Sequence, residues 1–309
     1  MRRAPASYGF RVRSDKALRN AFRRLQLPTS DDPTNVFAAI VPAVPTEIGQ
    51  AWEELHDVDE DLIAFAFSHP RYAHLLTAGV TLPTFREELE WILRQFDEGL
   101  PVGDVIDVGA GAGVTAAVVA LATRRSVVAV EPAAGAKAAI DHVAETVGAA
   151  VTAIEAPASA LTEDYYVDGI AVAIAQSVLA YNGFGGRDNS DDQIQERSAL
   201  VATLCSAGEA LVIEHTTNTR NTSNSSAVWR SFVTEMSKVG MYPVWETATI
   251  VTGYTTFVPD TPPHMRRDFL RPKLCLRFSR FSNTGDPHNT ESRLQTILAE
   301  NPTGCGYDN

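Results

Sequence analysis

The chain has 309 residues, of which 45% are hydrophobic and 21% are charged, and its formal net charge is −12. This composition is typical of a globular protein, and the acidic balance argues against a nucleic-acid substrate, because proteins that bind phosphate backbones usually carry a basic face. The most apolar region, residues 114–130, is interrupted by Arg124 and Arg125 and is too short to span a bilayer, so we expect no membrane partner.

The three cysteines show no Cys-x-x-Cys spacing; they are Cys205, Cys275 and Cys305. This pattern predicts free thiols and neither a disulfide framework nor a zinc site. Met1-Arg-Arg is followed by polar residues and not by the apolar run of a secretion signal. We therefore expect a cytoplasmic protein that binds no metal.

Residues 1–100 predict helices and no strands. Apolar residues recur at helical spacing in residues 15–25 and 84–96, and shorter helices are expected at residues 46–55 and 59–68. We interpret this segment as a helical cap or lid that contributes to specificity. It is also a candidate for a homodimer interface.

From residue 104 onward, apolar strands alternate with helices, which is typical of a mostly parallel sheet. The predicted strands begin at residues 104, 126, 151, 168, 210, 243 and 273. The predicted helices cover residues 115–124, 134–147, 190–205 and 226–239. Residues 282–309 predict a tail that is largely loop, with one candidate helix at residues 291–300.

The first strand runs into Asp107-Val-Gly109-Ala-Gly111-Ala-Gly113, and the second strand ends on Glu131. Glycines let a backbone approach a ligand closely, the start of a helix offers free N–H groups, and an acid about 20 residues further on can accept hydrogen bonds from a ribose. This arrangement predicts a nucleoside-bearing cofactor. A dinucleotide fingerprint needs Gly or Ala where this chain has Val114, and no Gly-Lys-Ser/Thr triphosphate loop is present.

The glycine motif resembles the first motif of the class I S-adenosylmethionine-dependent methyltransferases, and Glu131 resembles the ribose-binding acid of that family. The resemblance covers about residues 100–280. It implies an α/β, Rossmann-like fold with a seven-stranded, mostly parallel sheet, helices on both faces and an antiparallel end, here with a helical N-terminal cap. The implied organisation is a cap at residues 1–100, an S-adenosylmethionine-binding methyltransferase domain at 101–281 and a C-terminal tail at 282–309.

The resemblance also implies S-adenosyl-L-methionine as the cofactor. The implied cofactor-binding residues are Asp107, Gly109, Gly111, Gly113, Glu131, Pro132, Ala158, Ser159, Gln176 and Ser177. Pro157 occupies the position at which the family often carries an acid beside the adenine, so this chain departs from the family there.

Methyl transfer from a sulfonium is an in-line displacement, in which a protein mainly supplies proximity, alignment and sometimes a base. The candidate catalytic residues are His215 and Glu214 at the end of the fifth strand and Tyr181 after the fourth. The predicted function is methyl transfer to a small organic molecule, such as a biosynthetic intermediate. Three alternatives stay open: an NAD(P)-dependent oxidoreductase, a non-catalytic methyltransferase-like binding protein, and another reaction of the same cofactor such as aminopropyl transfer.

Overall fold

The computed structural model describes residues 6–28, 40–54, 59–161, 169–179, 182–184, 190–216, 225–251, 272–281 and 287–299. The α-helices among them are α1 (Ala6–Arg24), α2 (Thr46–Glu54), α3 (Asp59–Ser68), α4 (Ala73–Asp97), α5 (Val114–Thr123), α6 (Ala136–Val147), α7 (Asp191–Ser206), α8 (Ser225–Lys238) and α9 (Pro287–Ala299). The strands are β1 (Asp104–Val108), β2 (Val127–Glu131), β3 (Val151–Glu155), β4 (Ile170–Gln176), β5 (Glu209–His215), β6 (Tyr242–Val251) and β7 (Lys273–Ser279).

The seven strands form one sheet in the order β3-β2-β1-β4-β5-β7-β6. Strands β1 to β5 pair in parallel, and β7 runs antiparallel to both β5 and β6. The fold is therefore the predicted Rossmann-like α/β fold with an antiparallel end. The strand order reverses at β1, and in open α/β sheets ligands bind beyond the carboxyl ends of the strands at such a reversal.

Helices cover both faces of the sheet, as predicted. On one face, which we call the cap face, α1, α4, α5 and α6 bury apolar side chains that include Phe22, Leu89, Val118 and Ile140. On the opposite face, α7, α8 and α9 bury apolar side chains that include Leu204, Phe232 and Leu294. The N-terminal helices α1 and α4 thus share a core with the sheet.

Two polar contacts fasten the N-terminal helices in place. The indole N–H of Trp91 on α4 donates to the carbonyl of Thr247 on β6 at 3.0 Å. Nε2 of His74, also on α4, lies 3.0 Å from the carbonyl oxygen of Leu25 at the end of α1. Burial lowers the pKa of His74 to about 4, so its ring is neutral at physiological pH and Nε2–H is the donor. Whether the segment acts as a lid stays a prediction.

Helix α4 is longer than predicted. It begins at Ala73, whereas the sequence predicted a start at residue 84, directly after Pro83. The predicted start followed the apolar residues at helical spacing, of which Phe85 is the first. The structure continues the helix through Pro83 because the earlier turns bury Leu75 and Leu76, and tertiary packing outweighs local propensity.

Helix α9 in the predicted tail begins at Pro287, four residues before the predicted start, and buries Leu294. Over the ranges that the structure describes, no helix is both long and apolar enough to cross a membrane.

Candidate functional site

The glycine turn connects β1 to α5 at the carboxyl edge of the sheet. Gly109, Gly111 and Gly113 all have positive φ angles, of 72°, 54° and 81°. Gly113 is the N-cap of α5 and takes the left-handed conformation, which residues with a side chain adopt only at a cost. The turn therefore presents the start of α5 to the same edge at which β1 ends.

The space around the glycines differs from one position to the next. A Cβ at Gly109 would lie 2.0 Å from Cγ1 of Val178, and a Cβ at Gly113 would lie 3.0 Å from Cγ2 of Ile140. A Cβ at Gly111 would meet no atom within 4 Å. Packing within the protein thus leaves no room for a side chain at Gly109 and little room at Gly113, whereas the space above Gly111 is open.

Glu131 at the end of β2 is joined to the turn. Its Oε2 accepts a hydrogen bond from the N–H of Gly111 at 2.9 Å, and its Oε1 accepts one from the N–H of Ala133 at 3.2 Å. Burial raises the pKa of this carboxyl group, and the two backbone N–H groups oppose that rise. Each carboxylate oxygen can accept a second hydrogen bond, so the group can still receive ribose hydroxyls. Pro132, which follows Glu131, is exposed.

Asp107 lies beneath the turn on β1 and is 1% exposed. Burial, and secondarily the charge of Glu131, raise the pKa of Asp107 to about 7. Its Oδ2 is buried and has no hydrogen-bond partner among the described residues. A buried polar atom of this kind is costly and calls for a ligand, a proton or a water.

Gln176 at the end of β4 is half-buried and contacts a series of buried polar side chains. Its Oε1 accepts a hydrogen bond from the hydroxyl of Thr115 on α5 at 2.8 Å, and its Nε2 donates to Oε2 of Glu88 on α4. Oε1 of Glu88 lies 2.9 Å from Nζ of Lys273 on β7, and the two side chains are 0% and 5% exposed. These side-chain contacts connect the start of α5, beside the glycine turn, to the N-terminal helix α4 and the antiparallel strand β7.

Strand alternation places several polar side chains on the cap face. Successive side chains of a strand point to opposite faces, and the neighbours two residues earlier in β2, β1, β4 and β5, and two residues later in β7, all belong to the cap-face core. The resulting series of side chains along the carboxyl edge, which we call the polar row, is Glu131, Asp107, Gln176, His215 and Lys273. Its order follows the strand order β2-β1-β4-β5-β7.

Glu214 points to the opposite face and is 2% exposed. Its Oε2 accepts a hydrogen bond from the N–H of Leu179 at 2.7 Å, and its Oε1 accepts one from the N–H of His215 at 2.8 Å. Both oxygens therefore hold the backbone that follows β4 against the end of β5. His215 is partly exposed, and Tyr181 lies outside the described residues.

Ser177 directly follows β4 and has a φ of 57°, which is unusual for a residue with a side chain. Its N–H donates to the carbonyl of Ile213 at 2.7 Å, and its Oγ is buried without a hydrogen-bond partner among the described residues. Strained backbone of this kind is concentrated at ligand sites and switch regions.

Ala158 and Ser159 lie in a 3-10 turn, Ala158–Ala160, that follows β3. Ala158 is 8% exposed, and the hydroxyl of Ser159 donates to Oε1 of Glu196 on α7. Two of the ten predicted cofactor residues thus lie beside the carboxyl end of β3, next to the strand that ends on Glu131.

Three residues of the site are absent from the sequence prediction: Glu88, Lys273 and Glu196. Glu88 had a recognisable signal, because it lies at helical spacing from Phe85 and Ile92 and so places a carboxylate on the apolar stripe of α4. Lys273 and Glu196 had none, since a Lys at the start of a strand and a Glu on a helix are ordinary surface residues.

The described part of the chain contains no group of three or more His, Cys, Asp or Glu side chains that could hold a metal ion. Cys205 and Cys275 are buried free thiols. A groove of about 620 Å³ between residues 69–72 and α6 shares no residue with the site described above.

No protein-family model matches the chain, and no curated protein matches it. Among solved structures, the chain is similar to a candidate RNA methyltransferase from Pyrococcus horikoshii, at 16% identity over 64% of this chain and 83% of that one, with a TM-score of 0.41. It is similar to TYW2 of M. jannaschii in complex with AdoMet, at 13% identity over 58% and 69%, with a TM-score of 0.36. It is also similar to the [4+2]-cyclase SpnF, at 11% identity over 64% and 82%, with a TM-score of 0.44.

The solved structures that the chain resembles therefore include methyltransferases and a cyclase. At these identities and TM-scores we transfer no residue role, substrate or activity from them.

Proposed function

We propose that the protein is an S-adenosylmethionine-dependent methyltransferase that acts on a small organic molecule by in-line methyl transfer. The observation that carries this proposal is the link between the glycine turn and the acid of β2, in which the N–H of Gly111 donates to Glu131 at 2.9 Å beneath open space. This link joins a backbone cradle to a ribose-binding carboxylate at the strand-order reversal.

The residues present fit this cofactor. The open space above Gly111 can hold the part of the cofactor that lies against the backbone of the turn. The carboxylate of Glu131 can still accept hydrogen bonds from the ribose hydroxyls. The partnerless Oδ2 of Asp107 offers a buried acceptor beside the turn. When bound, S-adenosylmethionine supplies an electrophilic methyl group on a positively charged sulfur.

The acceptor molecule is proposed to bind over the ends of β4 and β5. There His215 is the candidate base, because it is partly exposed and stands on the polar row next to Gln176. For Glu214 we propose a positioning role, since its two backbone hydrogen bonds fix the peptide of His215 and the segment after β4. A small-molecule acceptor is supported by the net charge of −12, which opposes binding of a phosphate backbone.

Isothermal titration calorimetry with S-adenosylhomocysteine and with NADH tests the cofactor. We expect S-adenosylhomocysteine to bind and NADH not to bind. Gly111→Arg should weaken the binding of S-adenosylhomocysteine by at least about 100-fold, because the Arg side chain fills the open space above the turn. The matched control is Gly240→Arg, since Gly240 also has a positive φ, of 77°, and open space, but lies in the turn after α8. Binding of NADH alone would establish the oxidoreductase instead, and binding of neither ligand would leave a protein without this cofactor.

Transfer of label from methyl-labelled S-adenosylmethionine tests the acceptor class. The protein is incubated separately with the small-molecule and the RNA fractions of a cell extract, and the labelled product is isolated. We expect label in the small-molecule fraction. Label in RNA alone would overturn the proposed substrate class but not the cofactor.

A further inference from the structure

The turn that follows β3 lacks the carboxylate that resembling enzymes often place beside the adenine, because position 157 is a proline. We propose that Glu196 on α7 supplies the carboxylate that recognises the 6-amino group of the adenine. This inference rests on the proposed function and deepens it, since it concerns how the same cofactor is selected.

The position of the base follows from the order of the strands. The glycine turn follows β1, the ribose-binding acid ends β2, and β3 is the next strand outward. The glycine turn lies on the β1 side of Glu131, so we place the base of a nucleoside whose ribose Glu131 holds on the β3 side, beside the segment after β3. That segment is the 3-10 turn Ala158–Ala160.

The surroundings of this turn suit a flat, mostly apolar ring. Ala158 and Leu161 are each 8% exposed, and they belong to the same apolar cluster as Val130 and Val178. Val130 lies directly before Glu131 at the end of β2, and Val178 contacts the Cβ position of Gly109. Ligand sites of this kind combine apolar walls with a few polar groups that fix orientation.

Glu196 is the polar group at this place. Its Oε1 accepts a hydrogen bond from the hydroxyl of Ser159, in the middle of the turn, and its side chain is partly buried. One serine hydroxyl occupies one of about four acceptor positions of a carboxylate, so the group can still accept an N–H from a ligand. Packing of α7 against the turn holds the carboxylate where the sequence of the turn itself provides none.

The chemistry of the 6-position gives a specific consequence. Adenine carries an amino group there, which donates to a carboxylate, whereas hypoxanthine carries a carbonyl oxygen, which a carboxylate repels. Hydrogen bonds to charged groups are stronger than neutral ones, so we expect the protein to bind S-adenosylhomocysteine about 10- to 100-fold more tightly than S-inosylhomocysteine.

Calorimetric titrations of the full chain with these two ligands test the proposal. In Glu196→Gln the preference should fall below about threefold, since a glutamine amide can donate to the carbonyl of hypoxanthine as well as accept from adenine. Asp192→Asn, which removes an exposed carboxylate from the first turn of the same helix, should keep the preference of the natural protein. The thermal unfolding midpoint of each variant confirms that it is folded.

Two results would overturn the role of Glu196 while leaving the cofactor assignment intact. In one, the natural protein binds both ligands equally; in the other, Glu196→Gln retains the full preference for adenine. Failure of the natural protein to bind either ligand would instead overturn the proposed function itself.

Discussion

The two halves of the carboxyl edge are built in different ways. The half formed by β1, β2 and β3 consists of a glycine turn, one acid and a 3-10 turn, and its central contact joins Gly111 to Glu131, 20 residues apart. The half formed by β4, β5 and β7 depends on side chains that meet from distant segments, such as Gln176 and Glu88, 88 residues apart. The first half is made mainly of backbone, and the second mainly of buried side chains.

This difference indicates a division of roles. Backbone groups at a strand-to-helix turn suit the part of a ligand that is the same in every reaction, which is the cofactor. Side chains can change without altering the fold, and they suit the part that gives specificity. The following four experiments test this division, beginning with the largest expected effect.

Breaking the Glu88–Lys273 pair should destabilise the protein most. Glu88→Gln leaves a buried ammonium without its counter-charge, and we expect a loss of about 3–5 kcal/mol in the free energy of unfolding, measured with denaturant. The double variant Glu88→Met with Lys273→Met should recover most of this loss because it removes both charges. Asp141→Asn, which breaks the exposed Lys137–Asp141 pair, is the control and should cost less than about 1 kcal/mol. Equal losses in Glu88→Gln and Asp141→Asn would show that the buried pair does not form.

Asp107, in the half formed by β1, β2 and β3, should make the free energy of unfolding depend on pH. The folded pKa of Asp107, about 7, lies above the ordinary value of 3.8 for an aspartate, so the folded chain binds the proton more tightly between these two pH values. The stability of the natural protein should therefore fall as pH rises from about 4 to about 7, by about 1.4 kcal/mol for each unit of difference in pKa.

Asp107→Asn should abolish this part of the dependence, because asparagine does not titrate, and the variant should be more stable than the natural protein at pH 8. Denaturant unfolding at pH 5, 6.5 and 8 measures the difference between the two curves. A pH-independent difference would mean that Asp107 carries no raised pKa.

Glu131→Gln should weaken the binding of S-adenosylhomocysteine by about 10-fold or more. The reason is that an amide can replace only one of the two carboxylate oxygens that accept backbone N–H groups. Glu155→Gln is a close control. Glu155 pairs with Glu131 in register at the end of β3 and also accepts two backbone N–H groups, from Gly135 and Lys137. Its replacement should change the dissociation constant less than about twofold, and an equal effect of the two variants would remove Glu131 from the site.

His215→Asn should have the smallest effect on cofactor binding. We expect the dissociation constant of S-adenosylhomocysteine to stay within about twofold, whereas methyl transfer to the acceptor isolated in the labelling experiment falls by about 100-fold or more. A large loss of affinity for S-adenosylhomocysteine would place His215 at the cofactor site and contradict the division of roles.

The sequence predicted the sheet because each strand is a short apolar run and most successive strands are separated by a helix of regular spacing. It predicted the glycine turn for the same reason, since Gly109, Gly111, Gly113 and Glu131 lie within one strand–helix–strand unit. The predicted start of α4 was wrong because apolar spacing is a local signal, whereas the burial of Leu75 and Leu76 in the earlier turns depends on tertiary packing.

The sequence alone determined the α/β class, the order of the elements and the motif on which the cofactor proposal rests, because these depend on periodicity and on short spacings. Only the tertiary structure decided which side chains stand together beyond β4, β5 and β7. Strand order and alternation bring the side chains of Gln176 and Lys273 to the face on which Glu88 lies. Glu88 and Lys273 are 185 residues apart, and no local sequence pattern indicates their contact. The same reason applies to Glu196, whose place beside Ser159 depends on how α7 packs against the turn after β3.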